Sequence, residues 1–117
     1  MRRWLIALAM LLGMSAAVQA APLQIVAFGD SVTAGYLIPR NDAYPAQLQR
    51  ALRAKGYDVV VRNAGVPGDT TLGALKRLDL AVDPDTAICI VEFGVNDRRL
   101  RVPRATMRRA SAPSSTP

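Results

Sequence analysis

The chain has 117 residues, 15 basic against 9 acidic side chains, a net charge of +6, one cysteine and no histidine. A single cysteine excludes an intrachain disulfide, and the missing histidine takes from these residues the usual general base and the commonest metal ligand. The positive charge is not a nucleic-acid footprint: Arg2 and Arg3 sit at the start, six arginines lie between Arg98 and Arg109, and residues 21–97 hold seven basic against nine acidic side chains, a net charge of −2.

Met1-Arg2-Arg3 is a short basic start, Trp4 to Met14 is almost wholly apolar, and Ser15 to Ala20 is rich in small residues. Val18-Gln19-Ala20 fits a signal-peptidase site, so residues 1–20 read as a cleaved leader. The apolar run is shorter than the ~20 residues that a membrane span needs. The expected mature chain therefore starts at Ala21-Pro22, is periplasmic or secreted, and keeps no stable membrane anchor. Its basic tail could attract nucleic acid or membrane by charge alone, but export makes nucleic acid an unexpected partner. What is left is one small domain.

Gln24 to Phe28 is a short apolar run before Gly29 and predicts a buried strand. Ala43 to Lys55 predicts a helix, because Tyr44, Leu48 and Leu52 recur every four residues with Ala51 on the same side, and Gly56 stops it. Asp58 to Arg62, with three consecutive valines, predicts a second strand. Asn63 to Gly68 reads as a loop, and Asp69 or Thr70 can cap a following helix whose Leu75, Leu78 and Val82 share a face. Asp83-Pro84-Asp85 breaks that helix, and Thr86 to Phe93 is the third and strongest strand candidate. Cys89, inside its apolar run, reads as a buried, inert thiol. From Arg98 onward six arginines, no acids and no sustained apolar period predict a disordered tail over 98–117, with the composition of a shifted reading frame beginning soon after Met107-Arg108.

Strand, helix, strand, helix, strand, with nearly continuous apolar strands, predicts an α/β fold: a three-layer, flavodoxin-like parallel sheet covered on both faces. In such sheets functional loops follow the carboxyl ends of the strands. Each predicted strand end here carries a polar loop with a candidate for chemistry. Ser31 follows the first strand within Gly29-Asp30-Ser31-Val32-Thr33-Ala34-Gly35; a serine on such a tight turn exposes its hydroxyl, although from this segment alone it serves equally as a helix cap. Gly68, in the second loop, can present its N–H to a developing oxyanion, and Asn96, in the third, can add a side-chain amide. Taken singly, the glycine and the asparagine are more often turn formers.

These three segments together resemble the SGNH (GDSL) hydrolase superfamily, in its periplasmic arylesterase, thioesterase I and lysophospholipase L1 branch. Gly29-Asp30-Ser31 with Gly35 matches the first family block, Asn63-Ala64-Gly65-Val66-Pro67-Gly68-Asp69-Thr70 the second, and Gly94-Val95-Asn96-Asp97 the third. The resemblance covers Leu23 to about Arg99. It implies the SGNH hydrolase fold over 21–97, Ser31 as nucleophile, and the N–H groups of Ser31 and Gly68 with the Asn96 amide as oxyanion donors. The implied substrates are small carboxylic esters or thioesters, with no cofactor and no metal. The family's final Asp-x-x-His block, which supplies the base, has no counterpart in these 117 residues, so the chain by itself is expected to be inactive. Three other readings compete: a non-enzymatic flavodoxin-like binding module, a magnesium site at Asp30, Asp69 and Asp97 that leaves Gly68 and Asn96 without a role, and a pseudogene product too short for a stable fold.

Overall fold

The computed structural model describes residues 19–111; most of the stretch expected to be a leader, up to Val18, and the last six residues lie outside the described part. Three strands, β1 (Leu23–Gly29), β2 (Val59–Gly65) and β3 (Ile88–Glu92), form one parallel sheet in the order β2-β1-β3. Among the described residues five α-helices accompany them, α1 (Ser31–Ala34), α2 (Tyr44–Ala54), α3 (Thr71–Ala81), α4 (Val95–Arg99) and α5 (Arg104–Ser111), with a short 3-10 helix at Arg40–Asp42. Among the described residues no helix is long and apolar enough to cross a membrane.

Strand β1 is central because its residues are apolar on both faces. Ile25 and Ala27 join Val59 and Val61 in a core that Tyr44, Leu48 and Leu52 of α2 cover, with Ile90 alongside. Val26 and Phe28 point the other way and pack with Ala74 and Ala81 of α3, with Ala64, Val82 and Phe93 at the margin. Burial of each large apolar side chain contributes about 1.5–3 kcal/mol, so β1 anchors both layers at once. The outer edge of β2 is partly covered by α2: Gln49 accepts from the Val61 N–H at 2.9 Å and Arg53 donates to the Val59 carbonyl at 2.9 Å.

Several expectations are revised. Strand β2 runs on through Asn63, Ala64 and Gly65, which the sequence placed in a loop, because each finds a register partner in Ala27, Phe28 and Gly29. Leu75 and Leu78 are exposed, and the helix face on the sheet is made by Ala74 and Ala81; small residues let α3 approach closely. Ala51 is likewise exposed on α2. Cys89 is not buried: β3 is an edge strand of the described sheet, and the side on which Cys89 and Val91 project lies open. The expected disorder from Arg98 fails over α4 and α5. Helix α5 packs against α3 and brings Met107 beside Gly94, and Arg, Ala and Met are good helix formers.

Candidate active site

Gly29 is the register partner of Gly65 on one side and of Glu92 on the other. The three strands therefore end level, and the loops carrying Ser31, Gly68 and Asn96 leave the sheet from one line. At the end of β1 the chain turns into α1, with Ser31 as its first residue, half-buried. The fully buried Asp30 caps this turn by accepting from the Val32 N–H at 3.0 Å, and Gly35 closes it in the left-handed conformation at φ 75°. Ser31 itself is thus not the cap; its side chain is left for another use.

Asn63 locks the first turn to the second strand. Its side chain donates to the Thr33 carbonyl at 2.9 Å and accepts from the Gly65 N–H at 2.9 Å. Gly65 approaches α1 so closely that a Cβ there would overlap the backbone nitrogen of Ala34. Beyond it, the Asp69 N–H donates to the Val66 carbonyl at 3.2 Å and closes a turn with Pro67 and Gly68 at its centre. Gly68 has φ +82°, which favours glycine, and nothing lies within 4 Å of where its Cβ would be. Gly68 is exposed.

Asn96 is buried as the second residue of α4, and its amide nitrogen donates to the Asp69 carbonyl at 2.8 Å. An amide nitrogen carries two hydrogens, so a second remains after this bond. Asp97, fully buried, accepts from the Thr71 N–H at 3.0 and 3.2 Å and from the Thr71 hydroxyl at 2.7 Å, holding the start of α3. The third loop is fixed on the second through both residues.

Arg77 of α3, which the sequence did not single out, ties all of this to the strand ends. It pairs with Asp69 at 2.7 Å and donates to the carbonyls of Ala64 at 2.9 Å and Gly29 at 3.0 Å. Its guanidinium lies 4.6 Å from the centroid of Phe28 and 5.9 Å from that of Phe93. The signal was the small-residue stripe Ala74, Arg77, Ala81 at helical spacing, in which a single arginine faces inward. Asp30, Asp69 and Asp97, grouped by the magnesium reading, are each engaged by a different partner, and the described residues contain no cluster of metal-ligating type. A cleft of about 470 Å³ lined by Gln24, Arg62, Asp83 and Thr86 does not include Ser31, Gly68 or Asn96.

Comparison with known proteins fits this arrangement. Residues 27–112 match the model of the GDSL-like Lipase/Acylhydrolase family. The chain belongs to this family. Among its GDSL-like relatives are an arylesterase of Vibrio mimicus, 38% identical over 94 residues that make up 80% of this chain and 46% of the relative, and the esterase TesA of Pseudomonas aeruginosa, 38% identical over 80 residues, 68% of this chain and 40% of the relative. The SGNH-hydrolase family esterase AlinE4 superposes with a TM-score of 0.72 at 39% identity, over 79% of this chain and 50% of that one. The GDSL-like chain thus spans about half the length of these relatives, and its three-stranded parallel sheet is the corresponding part of the SGNH hydrolase fold.

Proposed function

We propose that this chain carries the nucleophile and the oxyanion hole of an exported serine ester hydrolase. The Ser31 oxygen adds to an ester or thioester carbonyl carbon, the leaving alcohol or thiol departs, and water then releases the acyl group from Ser31. The N–H groups of Ser31 and Gly68 and the second amide hydrogen of Asn96 receive the negative charge that develops on the carbonyl oxygen. The observation that carries the reading is the bond from Asn96 to the Asp69 carbonyl. It holds a buried amide against the residue that follows Gly68, and Gly68 itself is exposed.

A serine hydroxyl is a weak nucleophile until a base takes its proton. These 117 residues contain no histidine, and the family pattern assigns the base to an Asp-x-x-His block. The chain by itself therefore turns over esters slowly, with roughly the 10³-fold residual advantage over water that an oxyanion hole retains without its base. The test compares residues 21–117 with a form extended through an Asp-x-x-His block, on p-nitrophenyl acetate, each with and without Ser31→Ala. Strong turnover only in the extended form, abolished by Ser31→Ala, is the expected result. Undiminished turnover in the Ser31→Ala variant would exclude Ser31 as nucleophile.

A further inference from the structure

Asp30 is fully buried, yet only its Oδ1 is engaged, by the Val32 N–H; Oδ2 has no partner within the described structure. A buried carboxylate oxygen without a donor is costly. The group within reach of it is a second carboxyl. Glu92 ends β3 as the register partner of Gly29, the residue before Asp30, its Oε1 accepts from the Thr33 hydroxyl at 3.4 Å, and its carboxyl is close enough to Asp30 for the two to act on each other. Two ionised carboxylates so placed repel each other, whereas one shared proton turns the contact into an O–H···O⁻ hydrogen bond.

We propose that Glu92 is a positioning residue for the Ser31 turn, donating a proton-bearing carboxyl to the orphaned Oδ2 of Asp30. The bond clamps the end of the edge strand to the residue immediately before Ser31. Partial burial, then the hydrogen bond and the charge of Asp30, push the Glu92 carboxyl up to about 7, with the Thr33 bonds pulling weakly the other way. The other charged groups near the turn are committed elsewhere: Arg77 to Asp69 and to the Ala64 and Gly29 carbonyls, Asp97 to Thr71. Tyr44 of α2 packs, with Ile90, against the core cluster of Ile25, Ala27, Val59 and Val61, and its hydroxyl is buried without a partner.

The sign of the pH effect follows. The folded form holds a proton on Glu92 that the unfolded chain releases near 4.5, so the clamp is fully present below that value, weakens as the pH rises toward 7, and is gone above it. The clamp does not depend on Ser31 being a nucleophile; only its consequence for catalysis rests on that reading.

Carboxyl-carbon NMR of the full chain tests it, with Glu92→Gln and Glu92→Ala beside the parent. The Glu92 resonance should titrate near 7, and the Ser31 and Val32 amide signals should shift with the same midpoint. Glu92→Gln, which keeps a donor but cannot ionise, should hold those amides in their low-pH positions up to pH 9. Glu92→Ala should displace them at every pH. A Glu92 midpoint near 4.5 overturns the proposal, as do parent-like amide positions in Glu92→Ala or a surviving step in Glu92→Gln. If the titration is as expected while Ser31→Ala leaves turnover intact in the extended form, the nucleophile assignment fails and the clamp stands.

Discussion

The side-chain amide of Asn96 donates to the backbone carbonyl of Asp69 at 2.8 Å, across 27 residues of sequence. The bond fixes the orientation of a buried amide that would otherwise rotate, and it does so from the loop that also carries Gly68. Donors held before the substrate arrives need no reorganisation when charge develops, which is why they stabilise a transition state better than water does.

Asn96→Ala in the extended form should therefore lower kcat by ~100-fold or more with little change in KM. The anchoring bond is lost as well, at a stability cost of about 1 kcal/mol. Steady-state kinetics beside urea unfolding separate the two effects. A rise in KM alone would mean that the amide binds substrate without serving the transition state.

Arg77 should matter more to the assembly of the loops than its position on a helix implies. Arg77→Met leaves the Gly29 and Ala64 carbonyls and the Asp69 carboxylate without their donor, and should destabilise the chain by about 2–4 kcal/mol. Urea unfolding of the chain gives the number. A loss within a few tenths of a kcal/mol, as for a solvated surface arginine, would show that the three contacts are replaceable by water.

Cys89 should react with a disulfide reagent such as DTNB in native buffer, one equivalent per chain, because β3 leaves it exposed. Partial burial pushes its thiol up, so the rate should be low at pH 7 and climb steeply beyond pH 9 as thiolate forms. Labelling that requires denaturant would return the residue to the core.

The strands of the parallel sheet were readable because β1 and β2 are apolar runs bounded by glycine, and α2 shows its buried face as Tyr44, Leu48 and Leu52. The face of α3 was not readable by the same rule. Hydrophobicity picked out Leu75 and Leu78, but close approach to the sheet selects size, and Ala74 and Ala81 are the ones that fit. The apolar character of β3 implied a fully covered strand, but register gives it a neighbour on one side only within the described residues, so Ile88, Cys89 and Val91 are open. Helix α5 was hidden by its arginines, which obscure the contact made by Met107. At the site, Ser31, Gly68 and Asn96 were visible as residues of suitable chemistry in successive loops. Arg77, Asn63 and Glu92 were not, since the contacts from Arg77 to Ala64 and Gly29, from Asn63 to Thr33 and from Thr33 to Glu92 span 13 to 59 residues of sequence, and only the place of Arg77 on the face of Ala74 and Ala81 left a local trace.

The level ending of the strands at Gly29, Gly65 and Glu92 has a consequence for mutational tolerance. A one-residue slip of β3 along β1 would carry Asn96 about 3.3 Å along the strand axis and rotate Ile90 from the α2 core toward the opposite face. Alignment of the donors and burial of the core are thus fixed by the same backbone pairs. Substitutions that preserve packing preserve the alignment without being selected for it, and a slipped form that lost the alignment would already have lost its hydrophobic cover.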